Sequence, residues 1–403
     1  MSSNETLNIT ETEPVTLVKD FNAFTGYLKK NKPSLVRKDH ALTREALYEI
    51  EQLMSHPDPE STPKTLLIFY PHLYLFYSIA LGGALFLKTR QLKLQETEKL
   101  TEYEQLNPAE KYFFLLETLW VDLDWSELLG EPTSLLLIPD AQSLLEYLSK
   151  VRPGKSVSMD DLEMLDISFS KTLFLQYLSC FGLVEVTFEK QETKTKGRRF
   201  HPAASVTVTD FGSALLPILC SERNLEQWNL PYIRERTGEY ILLSGLESQK
   251  GHEPFCKPFQ RLFGTLQKTL PRKRGHESTF LFKVFSSRFV WRTLLLSGEH
   301  TLDDLHDSIQ DAFDFDKDHL YGFFMDGIPW SRNSIWGPGN DEGPYADKVQ
   351  ICELGLQPGQ RFVYLFDFGD EWLFGIELLK ITDEKGPSSP KIVEKKGKAP
   401  KQY

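Results

Sequence analysis

Cysteine is scarce in this sequence, and Cys180, Cys220, Cys256 and Cys352 lie far apart with no C-x-x-C pair. That spacing excludes a disulfide framework or a zinc ribbon and reads as reduced thiols in a cytoplasmic setting. Long apolar runs are also missing. The continuous apolar part of the uncharged segment Thr65–Leu87 is Leu73–Leu87, shorter than the roughly 20 residues a membrane helix needs. It reads as a buried core helix, with no membrane partner. Residues Met1–Thr16 are polar and acidic and lack the apolar core of an export signal. There is no Gly-x-Ser-x-Gly elbow, and Leu81-Gly82-Gly83-Ala84 lacks the Lys-Ser/Thr ending of a phosphate-binding loop. Nothing in the sequence calls for a cofactor. A net charge of −11 argues against indiscriminate nucleic-acid binding by the whole surface.

What is present is ample apolar material: 40% hydrophobic and 12% aromatic residues over 403 positions, enough for two or three packed domains. The patterning predicts an α+β multidomain chain. Residues 1–14 read as disordered. Residues 15–152 read as a helical domain, with stripes at Leu42, Leu47, Ile50 and Leu53 and a helix start at Asn107-Pro108-Ala109-Glu110. Residues 246–278 read as a linker, and the Lys-, Pro- and Gly-rich 384–403 as a disordered basic tail.

Between these, residues 156–245 follow a different order. Two short helices precede a strand at Leu183–Phe188, a basic excursion, a strand at Ser205–Thr209 and an apolar helix at Ala214–Leu219. The frame Phe181-Gly182-Leu183-Val184-Glu185-Val186, followed by Val206-Thr207-Val208-Thr209-Asp210-Phe211-Gly212, resembles winged-helix domains of the MarR type. The resemblance implies a wing, and Lys190–Arg199 would be it. It carries Lys190, Lys194, Lys196, Arg198 and Arg199 against Glu192 alone. Such a tip can neutralise DNA phosphates. Against DNA reading, the helix Phe169–Leu178 offers only Lys171 and Gln176 to bases, and Asp160, Asp161, Glu163 and Asp166 precede it.

Residues 279–383 form the last domain, expected as a small β-sheet packed on one helix. Phe280, Phe282 and Val284 alternate along one strand, and Phe289–Leu296 gives a second. Thr301 caps a helix whose stripe is Leu302, Leu305, Ile309 and Phe313, with Asp303 and Asp304 in its first turn. Further strands fall at Leu320–Met325, Phe362–Phe368 and Trp372–Ile381, the last two joined by a tight turn at Gly369. An ordered set of residues carries a resemblance here: Trp291-Arg292, Leu302, Leu305-His306, Ile309-Gln310, Phe313, Asp316, His319-Leu320, Tyr364, Asp367-Phe368-Gly369-Asp370 and Trp372. The region resembles the plasmid pRiA4b ORF-3-like family, mostly bacterial proteins. The resemblance implies a small β-rich fold around a helix and no known substrate or cofactor. One departure is Phe374, where the family usually carries histidine.

Two readings of this domain follow. In the first it is a binding or adaptor module whose ligand or partner surface is shaped by Trp291, Arg292, His306, His319, Asp367, Gly369, Asp370 and Trp372. In the second it is a metal-assisted enzyme using Asp316, His306, His319, Asp367, Asp370 and Glu371, provided those side chains converge. The first is the stronger, because aspartates at turns commonly bond backbone N–H groups or a neighbouring arginine. Asp314–Asp318 is not a calcium loop, since His319 and Met325 stand where Gly and Glu are needed. Residues 279–383 hold 18 Asp and Glu against 8 Lys and Arg, a net of −10. That surface suits a basic partner and repels nucleic acid.

Overall fold

Stripes of apolar residues at helical spacing fill the first part of the chain, and alternating strands the last. The computed structural model describes residues 7–37, 40–89, 91–131, 136–165, 171–190, 193–195, 198–237, 253–270, 278–331, 333–341 and 343–402. The chain divides into two compact units, Met1–Ile233 with Leu246–Leu270, and Arg234–Gly245 with Pro271–Tyr403.

The first unit begins with α1 (Leu17–Asn31), α2 (Arg44–Glu51) and α3 (Pro71–Gly82). A short hairpin of β1 (Phe86–Lys88) and β2 (Leu94–Glu96) follows, then α4 (Glu98–Glu104), α5 (Pro108–Glu117), α6 (Trp125–Leu129) and α7 (Leu137–Ser149). The hairpin is an addition to the helical domain expected here. The uncharged run ends as a helix at Gly82 and continues as strand from Phe86. Among the described residues no helix is long and apolar enough to cross a membrane. At α5 the Asn107 side chain accepts from Glu110 N, and the Glu110 carboxylate accepts from Asn107 N. The sequence signature of that capping box is realised in full.

The next elements are β3 (Ser156–Ser158), α8 (Met159–Glu163), α9 (Lys171–Cys180), β4 (Val184–Phe188), β5 (Thr193–Thr195), β6 (Arg198–Phe200), β7 (Ala203–Val208), α10 (Asp210–Ser221), α11 (Leu225–Trp228) and α12 (Leu230–Thr237). Strands β3, β7 and β4 form one antiparallel sheet, and β5 with β6 a separate hairpin. These elements fall in one compact unit with the helices before them. Tyr112 Oη donates to Phe181 O (2.7 Å), Trp120 Nε1 to Arg223 O (2.6 Å), and Asn229 Nδ2 to Trp120 O and Leu123 O (3.0 Å each). These are buried bonds, so breaking them would leave polar groups unpaired in the core.

Two expectations are corrected in this unit. The supposed linker is anchored over residues 253–270: Phe255, Phe259 and Phe263 are buried, with Phe259 and Phe263 against Phe113 and Phe255 against Trp228. The N-terminal stretch is also held from residue 7, where Leu7 N donates to Leu262 O and Ile9 is buried.

In the second unit β8 (Thr279–Ser287) and β9 (Val290–Ser297) form a hairpin, followed by α13 (Leu302–Phe313). After them come β10 (Tyr321–Phe324), β11 (Ser334–Trp336), β12 (Arg361–Phe366), β13 (Trp372–Thr382) and β14 (Lys391–Lys396). Together the described strands make one sheet in the order β11-β10-β12-β13-β8-β9-β14. Every pairing in it is antiparallel. One face carries Phe280, Phe282, Val284, Phe323, Phe362, Tyr364, Phe374 and Ile376 into a core closed by Leu302, Leu305, Ile309 and Phe313 of α13. The Thr301 cap of α13 is reciprocal with Asp304.

Strand β14 overturns the reading of a disordered tail. It pairs with β9 from Lys391↔Leu295 to Lys396↔Trp291, and Gln402 Oε1 accepts from Asp316 N (2.6 Å). Gly397 turns the chain at φ +75°, where an added Cβ would lie 2.4 Å from Phe289 O, so only glycine fits.

Candidate functional site

Strand β12 delivers its buried face to a turn whose shape comes from Asp367. The Asp367 N–H donates to Leu320 O (3.0 Å), while its Oδ1 accepts from Gly369 N (2.9 Å) and Asp370 N (3.3 Å). Glu371 N closes the turn onto Asp367 O (2.7 Å). The carboxylate thus replaces water for two backbone donors, as aspartates at turns do. Left-handed backbone falls on Asp367 (φ 54°) and Glu371 (φ 49°), not on Gly369. At Gly369 an added Cβ would sit 3.3 Å from Asp367 Oδ1, a tight contact that the carboxylate would have to yield to. His319 Nε2 stands 3.6 Å from Asp367 Oδ2 and 3.4 Å from Asp318 Oδ1.

Arg292 is inside the domain. It is 4% exposed, and its Nε donates to Ala312 O at the end of α13 (2.8 Å). Its Nη1 donates to Trp291 O and Lys396 O (2.9 Å each) and to Gly397 O (3.3 Å). The guanidinium also lies over the Phe313 ring at 4.6 Å. Backbone carbonyls of strand, helix and tail therefore take the place of the aspartates expected as its partners. Burial draws its pKa down. Trp291 is half-buried under Lys283 Nζ (4.5 Å), and Trp372 is half-buried against Phe315 (5.0 Å).

His306 is likewise inside. Gln310 Nε2 donates to Tyr364 Oη (2.6 Å), and the same hydroxyl is hydrogen-bonded to His306 Nδ1 (2.6 Å). The imidazole stacks flat on Tyr321 (3.8 Å, 3°), whose hydroxyl donates to Asp303. Desolvation by burial pushes His306 down to about 4 and raises the hydroxyls of Tyr321 and Tyr364. The histidine is buried in the core of the domain, 5% exposed.

Of the acid and histidine set, His319 and Asp367 approach each other beside the turn that holds Asp370 and Glu371, His306 is buried in the core, and the Asp316 N–H is taken by Gln402. Among the described residues no group of three His, Cys, Asp or Glu side chains is placed to hold a metal. Phe374 packs in the core on Phe313 (4.8 Å) and Phe315 (5.8 Å).

What the sequence reading passed over is an outward aromatic cluster at the β10–β11 and β12–β13 connections. Trp330 lies 5.0 Å from Phe368 and 6.1 Å from Trp336, ring centre to ring centre, and Phe368 lies 5.8 Å from Trp336. Phe324 supports both tryptophans from below at 6.0 and 5.5 Å. Trp330 Nε1 donates to Glu371 Oε1 (3.1 Å), and Trp330 remains 49% exposed. Glu371, Asp370 and Asp326 are exposed in the same two loops, and Asp326 Oδ1 accepts from Ile328 N (3.0 Å) and Ser331 Oγ (2.8 Å). The available signal was the run Gly327-Ile328-Pro329-Trp330, a bulky aromatic inside turn residues.

On the first unit, the basic segment places Lys194 opposite Arg199 and Thr195 opposite Arg198 in the β5–β6 hairpin. Lys190 is exposed just beyond β4, and Lys196 lies outside the described residues.

A seven-stranded antiparallel sheet carrying one helix, with its motif residues spent on turns and core, defines the C-terminal region as an α+β domain with no metal centre assembled among the described residues. Residues 285–402 match the family described as plasmid pRiA4b ORF-3-like protein, and the C-terminal region is a domain of that family. The match includes the tail strand. Uncharacterized protein y4hQ of Sinorhizobium fredii (strain NBRC 101917 / NGR234) is 28% identical over 113 residues, which is 28% of this chain and 57% of that protein. The chain thus spans little more than half the length of this curated relative. A crystal structure of a protein of unknown function, MM3350 from Methanosarcina mazei Go1, is 23% identical, with 31% of this chain and 72% of that one covered and a TM-score of 0.26.

Proposed function

We propose that this is a cytoplasmic binding or adaptor protein whose pRiA4b ORF-3-like domain engages a partner through the loops joining β10 to β11 and β12 to β13. One observation carries the reading: Arg292 and Asp367 of the motif bond within the domain, while Trp330, packed on the half-buried Phe368, is exposed together with Glu371 and Asp370. An exposed tryptophan backed by half-buried aromatics and edged by carboxylates is the composition of a recognition surface. Placing a photo-crosslinking residue at Leu373, which is exposed next to this loop, tests it. Adducts with a discrete partner, abolished when Trp330 and Phe368 are both changed to Ala, are the expected result.

A second reading, association with DNA, is favoured by the middle of the chain. The order helix, helix, strand, basic hairpin, strand, helix supports a winged helix, and Lys190, Lys194, Lys196, Arg198 and Arg199 give the hairpin segment its positive charge. The acidic residues of α8 oppose it. Fluorescence anisotropy of the full chain on duplex DNA, across a salt series, decides the matter. If the hairpin binds, changing Lys194, Lys196, Arg198 and Arg199 to Ala flattens the salt dependence by about 0.9 in log–log slope for each phosphate no longer neutralised. Absence of binding even at low salt retires the DNA role.

A further inference from the structure

Trp330 occupies a backbone conformation that bulky residues avoid, with φ at 63°. Its indole is also fixed at several points: the ring N–H is held by Glu371, and three aromatic neighbours surround it. A side chain so constrained and still half exposed presents a rigid flat surface to solvent.

The geometry narrows what could use that surface. Ring centres in the cluster are 5.0 to 6.1 Å apart, so the rings already touch one another and leave no cavity between them. An aromatic cage closing around an ammonium group is excluded. What remains is stacking on the outer indole face. Beside that face the rim is acidic: Glu371 gives one oxygen to the indole and keeps the other, and Asp370 and Asp326 are exposed in the same two loops. Residues 279–402, the domain with its tail strand, carry a net of −6, so an anionic ligand is disfavoured and a cationic one drawn in. A planar cation that stacks on indole while bonding carboxylate in a fork is a guanidinium. A lysine ammonium is a compact, strongly hydrated charge without that plane.

From this juxtaposition we propose that Trp330, with Glu371 and Asp370, seats an arginine side chain of a partner protein. The proposal rests on the binding-module reading and names the chemistry recognised there. The interaction at one such anchor is weak, and charge elsewhere on a basic partner would add to it.

The test uses the full chain with its seven tryptophans replaced by 5-fluorotryptophan. The Trp330 fluorine resonance is assigned by W330F, and the other six report on folding. Three blocked glycine-rich peptides are titrated at low ionic strength, identical except for two positions that carry arginine, lysine or the uncharged isostere citrulline. The expected result is a saturable shift of the Trp330 resonance by the arginine peptide below about 5 mM. The lysine peptide should be several-fold weaker and the citrulline peptide inert. E371Q should weaken the arginine peptide several-fold while leaving the other resonances in place. An unmoved Trp330 resonance overturns the proposal. Equal shifts by arginine and citrulline peptides also overturn it, yet leave the binding surface standing. The crosslinking at Leu373 judges that surface separately.

Discussion

Replacing Arg292 by methionine isolates what its guanidinium does, because the methionine stem still covers the Phe313 ring while every donor is removed. Three bonds of 2.8–2.9 Å, to Ala312 O, Trp291 O and Lys396 O, disappear together. Bonds from a charged donor contribute roughly 1.5–3 kcal/mol each, and stacking of the cation on a ring about 1 kcal/mol more. Offsetting this, the variant no longer holds a cation out of water, a cost of several kcal/mol that the wild type bears. The net loss is on the order of 3 kcal/mol. With a urea slope of about 1.5 kcal/mol/M, the unfolding midpoint of the C-terminal domain falls by about 2 M. The change has a local signature too, since Lys396 O and Gly397 O belong to the tail. Amide hydrogen exchange over 391–397 should rise well before the rest of the domain opens. Truncation after Pro390 provides the second arm of a cycle: R292M and the truncation together should cost clearly less than the sum of the two. Unchanged exchange at 391–397, or strict additivity, would refute the idea that Arg292 clips the tail to α13.

Two further perturbations test the interior. His306 titrates near 6.5 when unfolded and at about 4 when folded, so between those values the unfolded state binds more protons and folding weakens as pH falls. That stability is complete above pH 6.5 and gone below about 4. The span corresponds to about 3 kcal/mol, read as the difference between wild type and H306Q in denaturant titrations across that window; parallel curves contradict it. In the first unit, Gly212 lets α10 press against the strand entry, where an added Cβ would lie 1.8 Å from Leu183 O. G212A should cost about 3 kcal/mol or more, because the obstacle is backbone, and an unchanged melting temperature would contradict the close approach.

Local chemistry made much of the architecture legible. The Asn107 and Thr301 caps announced α5 and α13, because both partners of each box lie three residues apart. Alternation of Phe280, Phe282 and Val284, and of Phe362, Tyr364 and Phe366, gave strands whose one buried face writes a period of two into the sequence. Strand β14 has no such face: Lys391–Lys396 is exposed throughout and is held by backbone pairing to β9 and by Arg292. A lysine-rich edge strand therefore looks like a solvated tail from sequence alone. The 253–270 segment did carry a signal, Phe255, Phe259 and Phe263 at four-residue spacing, masked by neighbouring Pro, Gly and Lys residues. Arg292, His306 and Asp367 stood out as motif residues, yet chemistry in sequence does not reveal partners. Their partners are carbonyls of Ala312 and Lys396, the Tyr364 hydroxyl and the amides of Gly369 and Asp370. Trp330 was missed because it belongs to no periodic element; the fold alone brings it to Phe368 and Glu371.

The central claim is that partner recognition belongs to the outward aromatic cluster, while the motif's arginine, histidine and aspartate hold the domain together. A crosslinking residue placed in turn at Leu373 and at Phe289, both exposed on the same domain, tests it most directly. The account predicts discrete adducts from Leu373 that vanish with W330A/F368A, and none of comparable yield from Phe289. Adducts from Phe289 alone, or from Leu373 regardless of the two substitutions, would contradict it.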